Sequence, residues 1–335
     1  MNGLVIGGGN AGQAYLKAGT KLGHSLTLHE RDPRIAQELD ASFKNLRVAA
    51  EFEELENEFD YIVIASTSDS HLEIARKVVA LNPRNLIIEK ILTNSLHDLD
   101  DLVLLRNSNI EIEFTTHSRW SILRVAERIN ALIEKYKLGE LVDFYSAGGG
   151  MCLASGSIHW LSSLYNLFGL HGKNFQLTGN IESITQERRP AFDIIQGEIR
   201  FQFGNKLVGF RYNNRARVAP MQVFLFEDGI ITLNFSGEYE VFRNNLTESN
   251  SRKRYDLGFA REKGNMIGTS ANPFELLLIS LENGVSQIID FNNAVRASEL
   301  IILSMQLTNR AQLNQSDLFK TREKPELYNK FWRIT

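Results

Sequence analysis

The 335 residues include a single cysteine, Cys152. One thiol forms neither an internal disulfide nor a cysteine-cluster zinc site, and such a chain suits a reducing compartment. No apolar run approaches the roughly 18 residues that a membrane span needs. The apolar run Leu4–Ile6 begins almost at Met1, leaving no room for a signal or transit peptide, so a cytoplasmic location is expected. Lys and Arg number 37 against 40 Asp and Glu, for a net charge of −3. That balance gives no basic face for nucleic-acid phosphates. His24, His29, His97 and His171 show no metal-ligand spacing, and no metal is expected. There is no internal repeat and no low-complexity tract.

What is present suits a globular protein of two domains: 43% of residues are apolar and 23% charged. In the first part short apolar runs alternate with amphipathic stretches. Strands are expected at Gly3–Ile6, Ser25–His29, Asn45–Ala49, Tyr61–Ala65, Asn85–Glu89 and Ile110–Thr115. Helices are expected at Ala11–Leu22, Pro33–Leu39, His71–Leu81 and Leu96–Arg106. Strand, helix, strand at this spacing implies a parallel sheet with crossover helices. Asp32 can cap the helix that opens on Pro33, where a missing N–H costs nothing.

A helix over Ile122–Tyr136 precedes a change of pattern. After a helix at Ser157–Phe168, strands follow in succession at Gly197–Phe203, Leu207–Tyr212, Gln222–Glu227, Ile230–Phe235 and Tyr239–Phe242. Gly204-Asn205 and Asp228-Gly229 supply hairpin turns. The solvent-facing side of this sheet reads as rich in Phe, Val and Leu. Asn244–Asn272 reads as a long loop, and helices at Pro273–Asn283 and Asn292–Asn314 close the chain. The expected fold is an α/β Rossmann domain with a parallel sheet over 1–119. An α+β domain with a large, mainly antiparallel, open-faced sheet follows over 120–335, and the last helix is free to pack back on the first domain.

Leu4-Val5-Ile6-Gly7-Gly8-Gly9-Asn10-Ala11-Gly12 is a strand followed by G-x-G-x-x-G. Gly7 permits the tight turn, Gly9 lets backbone approach a diphosphate, and Gly12 lets the helix pack on the sheet. The N–H groups of the helix start, at Asn10 and Ala11, then face the phosphates. Glu30 ends the second strand, 18 residues past Gly12. It suits the adenosine ribose hydroxyls and repels a 2′-phosphate, favouring NAD. Arg31 beside it offers a guanidinium to adenine or to a 2′-phosphate, so NADP stays open.

Further motifs follow in order: Ala65-Ser66-Thr67-Ser68-Asp69-Ser70-His71, Glu89-Lys90, His117-Ser118-Arg119-Trp120, and Gly148-Gly149-Gly150 leading to Ser157-Ile158-His159. Together they resemble the Gfo/Idh/MocA family of glucose–fructose oxidoreductase and inositol 2-dehydrogenase, whose pattern is A-T-P-N-x-x-H, E-K-P, an Arg-bearing segment and D-x-x-x-H-x-x-D. The resemblance implies an NAD(P)-dependent oxidoreductase acting on a sugar, sugar nucleotide or cyclic polyol, assembled as a dimer or tetramer through the C-terminal sheet. It places Ser66, Thr67, His71, Glu89 and Lys90 along the cofactor. Lys90 and His159 become the catalytic pair, and Arg119, Trp120, Ser155 and Ser162 stand toward substrate. An imidazole exchanges a proton near neutrality, and an ammonium stabilises an alkoxide-like oxygen. The chain departs from the pattern at Thr67 and Ile91, where the family has proline, and at Ser155 and Ser162, where it has Asp. Ile91 is expected to loosen the loop that aims Lys90. The two serines supply no charge to His159, so a silent NAD(H)-binding sensor or assembly subunit is the alternative reading. A Rossmann domain for some other nucleotide is a third.

Overall fold

The structure is a computed structural model that describes residues 1–55, 58–170, 173–185, 194–244, 260–268, 272–284, 290–308 and 312–314. His171 and part of the 244–272 excursion lie outside the described residues. Contacts divide the chain into two compact units.

The first unit opens with alternating strands and helices: β1 (Asn2–Ile6), α1 (Asn10–Lys21), β2 (Ser25–His29), α2 (Pro33–Ser42), β3 (Leu46–Ala49), β4 (Tyr61–Ile64), α3 (His71–Val78), β5 (Asn85–Ile88), α4 (Leu96–Ser108), β6 (Glu113–Thr116) and the short α5 (Arg119–Ile122). The strands form one parallel sheet in the order β3-β2-β1-β4-β5-β6. The order reverses between β1 and β4, the switch point outside whose carboxyl ends ligands bind in such sheets. Leu4, Val5, Ile62, Val63, Ile87 and Ile88 are fully buried, as expected of strands covered on both faces. Asp32 caps α2, accepting from Arg34 N at 3.0 Å, and Ser95 caps α4 through Asp98 N at 3.0 Å.

The second unit begins at Arg124, whose left-handed φ of 54° breaks the expected 122–136 helix into α5 and α6 (Val125–Tyr136). Then come β7 (Leu141–Gly148), α7 (Leu153–Phe168), β8 (Gln176–Thr185), β9 (Ile194–Phe203), β10 (Lys206–Tyr212), β11 (Met221–Phe226), β12 (Gly229–Asn234), β13 (Glu238–Arg243) and β14 (Glu262–Asn265). With β15 (Gln312–Asn314) they make a sheet ordered β14-β13-β12-β11-β7-β10-β9-β8-β15. Its described pairings are antiparallel except β7 with β10. The strands expected from sequence do not include β8, β14 or β15, and for β7 only its entry at Gly139-Glu140 is read. The Phe-rich side is the buried one: Phe144, Phe201, Phe203, Phe210, Phe224 and Phe226 lie inside. Trp160 of α7 packs 5.3 Å from Phe144 and 5.6 Å from Phe224. On the other face Glu198 accepts from Tyr145 Oη at 2.9 Å and pairs with Arg200 and Arg211, while Met221 and Leu225 are exposed. That face is mixed rather than uniformly apolar.

Two more helices follow, α8 (Pro273–Glu282) and α9 (Phe291–Ser304). The expected helix to Asn314 stops earlier, giving way to a 3-10 turn at Met305–Thr308. Helix α8, and α9 as far as Ile302, group with the first unit rather than with residues 124–268. Leu277, Leu278 and Leu281 share a core with Tyr15, Leu16 and Leu26, each buried leucine contributing about 1.5–3 kcal/mol. Lys21 pairs with Glu275 at 2.7 Å, and buried His24 bridges Tyr61 Oη (3.0 Å) and Glu282 (2.7 Å). A run as apolar as Phe274–Leu281 shows in sequence that it is buried, not against which partner.

Candidate functional site

Gly7 has φ +101°, which only glycine adopts without strain, and its N–H donates to His29 O at 2.9 Å. A Cβ on Gly12 would stand 1.9 Å from Gly7 O, so the helix lies directly on the turn. A Cβ on Gly9 would meet nothing within 4 Å. Gly9 is also the N-cap of α1 and offers no side-chain cap. The first N–H groups of α1, from Asn10 and half-buried Ala11 on, therefore open on free space beside the positive end of a helix dipole. This is a cradle for an anion at the switch point, and it fits the diphosphate of a dinucleotide.

Glu30 follows β2 and is half-buried. Its carboxylate accepts from Gly8 N at 2.5 Å and Asp32 N at 2.9 Å. It thus ties the glycine turn to the start of α2. Arg31 is exposed.

Past the switch point, Ser66 and Thr67 follow β4, half-buried. Ser70 Oγ lies 2.9 Å from Ser66 Oγ and 2.8 Å from Thr67 O. His71 does not open toward a ligand. It is buried, with Nδ1 3.0 Å from Leu92 O and Nε2 3.2 Å from Ser66 O. Burial lowers its pKa and keeps it neutral, so it donates to one carbonyl at a time. It braces the loop after β4 against the loop after β5.

The second of these loops carries Glu89 and Lys90. The Lys90–Ile91 peptide is cis. The loop is not loosened at Ile91: Ile91 and Leu92 are buried, His71 holds Leu92 O, and Leu92 N donates to Ser298 Oγ of α9 at 3.5 Å. Lys90 is half-buried. Glu89 is 6% exposed, and burial raises its pKa against the opposing pull of Lys90 and of Tyr15. The Tyr15 hydroxyl neighbours the Glu89 carboxyl, and burial followed by that carboxyl pushes the phenol well above its usual value. Neither Tyr15 Oη nor Glu89 Oε1 completes a hydrogen bond of good geometry. After β6, His117 stacks on Phe274 of α8 at 4.2 Å and stands edge-on to Tyr15 at 6.3 Å. Burial, then the charges of Lys90 and Arg119, push its pKa down to about 3, so it is neutral. Arg119 is half-buried and lies 5.4 Å over the Trp120 ring. Trp120, expected to face substrate, is 2% exposed and belongs to the packing.

In the second unit α7 carries Ser155, His159 and Ser162. Ser155 and His159 are half-buried, and Ser163 Oγ donates to His159 O at 3.2 Å. Ser162, also expected toward substrate, is buried, and its hydroxyl has no hydrogen-bond partner among the described residues. Beneath α7 a buried polar group joins Tyr212 Oη to Ser146 Oγ at 2.9 Å and Gln222 Nε2 to the same Oγ at 3.1 Å. Cys152 caps α7, half-buried, its sulfur 3.5 Å from Ile195 N.

Sequence reasoning missed Tyr15, His117 as a neutral stacked ring, Phe274 and Ser298. Tyr15 is spaced from Gly12 like any core residue of α1. Phe274 and Ser298 come from distant sequence, and no local pattern announces them.

Residues 1–114 match the model of an oxidoreductase family with an NAD-binding Rossmann fold, GFO_IDH_MocA. Over those residues the chain is similar to the NAD-binding domain of that family. No curated protein matches this chain. Solved structures share its fold. An Agrobacterium radiobacter oxidoreductase in complex with NAD+, L-tartaric acid and magnesium is 16% identical, with TM-score 0.71, over 95% of this chain and 99% of that one. The UDP-N-acetylglucosamine 3-dehydrogenase of Acidithiobacillus ferrooxidans is 14% identical, with TM-score 0.68, over 90% and 95%. A levoglucosan dehydrogenase in complex with NADH is 12% identical, with TM-score 0.71, over 94% and 98%. The first 114 residues thus match an NAD-binding Rossmann domain of an oxidoreductase family, and the chain shares its fold with these structures.

Proposed function

We propose that the protein is a dehydrogenase or reductase that passes a hydride between nicotinamide and a hydroxyl or carbonyl carbon of a sugar, sugar nucleotide or cyclic polyol. The observation that carries this reading is the uncapped start of α1 facing the open space at Gly9. The names of two structural neighbours, dehydrogenases of a nucleotide sugar and of levoglucosan, support the carbohydrate class. NAD is preferred to NADP because the Glu30 side chain is held in place by two backbone donors, where a 2′-phosphate would meet a carboxylate.

When bound, the nicotinamide supplies the hydride chemistry. Gly7, Gly9 and Gly12 shape the diphosphate cradle, with N–H groups from Asn10 and Ala11 on, and Glu30 takes the ribose. Ser66, Thr67 and Glu89 line the nicotinamide half, with His71 bracing their loops. Lys90 Nζ steadies the substrate oxygen as negative charge develops on it. His159 is the proposed acid or base for the hydroxyl proton, with Ser155 and Arg119 toward substrate. The protein is placed in the cytoplasm as a homodimer or homotetramer through the open face of its second sheet; light scattering showing a strict monomer contradicts the assembly.

The test is a panel of sugars and nucleotide sugars incubated with NAD+, followed by absorbance of the reduced cofactor. Lys90→Ala and His159→Ala are each expected to abolish turnover while dinucleotide binding persists; activity surviving both changes overturns the mechanism.

One observation favours a silent NAD(H)-binding member. Helix α7 contains no acidic residue, and the Ser162 hydroxyl is buried without a hydrogen-bond partner among the described residues. Binding of NAD+ without turnover on any substrate, with Ser155→Asp restoring it, selects that reading.

A further inference from the structure

Glu89 is a buried carboxyl that the mechanism above does not use to move a proton. It is 6% exposed at the carboxyl end of β5, and Oε1 has no hydrogen-bond partner of good geometry among the described residues. The groups that face it are few. From α1 comes the buried Tyr15 hydroxyl, close enough to act on the carboxyl but without a hydrogen bond of good geometry among the described residues, and the Lys90 backbone N–H also acts on it. Tyr15 stays a neutral phenol, boxed by Phe274 at 4.9 Å and His117 at 6.3 Å. Lys90, its chain neighbour, is the cation that acts on it. His117 and Arg119 follow β6; His117 is neutral, and Arg119 acts on His117. A buried carboxylate offset only by one half-buried cation, that N–H and a poorly aligned phenol is an incompletely compensated charge.

Its place in the sheet gives this group a purpose. From the glycine turn after β1, a dinucleotide crosses the switch point toward the ends of β4 and β5. Its nicotinamide half therefore belongs with the strand ends that carry Ser66, Glu89 and Lys90. The oxidised ring carries a positive charge that the reduced ring lacks, and a cation a few ångströms from a buried carboxyl favours its ionised form.

We propose that Glu89 exchanges a proton with solvent according to the redox state of the bound dinucleotide, releasing it when the oxidised form binds and keeping it when the reduced form binds. The proton leaves the carboxyl oxygen for bulk water or buffer, and no other bond changes. By linkage, affinity for NAD+ rises with pH while Glu89 is protonated in the free protein, by up to about tenfold per pH unit. Affinity for NADH stays nearly level. The inference rests on the dinucleotide reading and adds to it a group that sets the preference between oxidised and reduced cofactor.

Isothermal titration calorimetry of the full chain tests it, with NAD+ and with NADH, in two buffers of different ionisation enthalpy, at several values between about pH 5 and 8. The expected result is proton release on binding NAD+, little or none on binding NADH, and loss of the difference in Glu89→Gln, whose amide keeps the shape of the acid. Equal release with both dinucleotides, or unchanged release in Glu89→Gln, overturns the proposal. Infrared difference spectra of the wild type give a second readout should the variant fail to fold. A protonated carboxyl C=O band is present with NADH and absent with NAD+; no such band overturns the proposal. Failure of both dinucleotides to bind overturns the cofactor reading and this inference with it. Binding without differential proton release overturns this inference alone.

Discussion

Gly9 and Gly12 stand three residues apart in one motif, and the structure assigns them different tasks. A methyl group at Gly12 would lie 1.9 Å from Gly7 O and 3.0 Å from Gly7 C, both backbone atoms that cannot rotate away. Ordinary contact begins near 3.4 Å, so α1 would have to back off the turn by more than about 1 Å, and its packing on the sheet would be lost. Overpacking of this kind costs about 2–3 kcal/mol, which lowers Tm by roughly 5–10 °C for a unit of this size. A methyl group at Gly9 meets nothing within 4 Å, and φ −68°, ψ −173° suit any residue. Alanine there costs at most about 1 kcal/mol as a poorer N-cap. It fills the space that a diphosphate must enter, so affinity for NAD(H) is expected to fall tenfold or more, about 1.4 kcal/mol per decade. Thermal melts by circular dichroism and titration of NADH fluorescence separate the two effects. Gly12→Ala should melt early. Gly9→Ala should melt close to the wild type and bind poorly. A Gly9→Ala protein that binds both dinucleotides as the wild type does would refute the cradle.

Acid should weaken the first unit from its histidines. Burial holds His71 and His117 below the free imidazole value, His117 to about 3. Their contribution is complete above about pH 6.5 and declines as pH falls toward the folded values; a melt flat between pH 7 and about pH 5 would contradict this. In the second unit Glu262 accepts from Lys135 Nζ (2.5 Å), Tyr136 Oη (2.6 Å) and Tyr239 Oη (2.5 Å), and these bonds hold its pKa near 2. Its contribution is present above the free carboxyl value and lost as pH falls toward 2, so Glu262→Gln should flatten the acid limb of the second unit's melt. Tyr212→Phe, which removes the 2.9 Å bond to buried Ser146, should cost about 1 kcal/mol in denaturant unfolding.

The parallel sheet was legible because each of its strands is a local apolar run followed by a helix with its own start signal, as at Asp32-Pro33. Boundaries held to within a few residues in this part. The second sheet was harder. Strand β7 alternates only loosely, with Asp143 and Ser146 among its apolar residues, and it pairs with the distant β10 and β11. Nothing local to Leu141–Gly148 marks it as the centre of a sheet. The Phe-rich strands were recognised, but not the sense of their alternation, because an open sheet has two candidate faces until helix α7 chooses one. In the site, the glycines and Glu30 were legible through backbone requirements that a motif records directly. His71 was assigned to the ligand, and the structure gives it to two carbonyls instead. Residue type says that an imidazole is there; only the packing of Leu92 and Ser66 around it says which way its nitrogens point.

The departures from the family pattern concern where charge is kept. Ser155 and Ser162 remove two carboxylates from α7, so His159 has no acid on its own helix to favour the imidazolium form. The cofactor half keeps its charges: burial, and after it the charges of Lys90 and Arg119, hold His117 neutral, and Glu89 lies buried beside Lys90. A proton-transfer group works best when its pKa is near the working pH. Burial moves Glu89 toward that range from below, and it does so without any residue of α7. Removing the two aspartates therefore does not remove carboxyl acid–base capacity from the protein. It leaves that capacity with the group joined by one peptide bond to Lys90, where the charge of the nicotinamide can govern it.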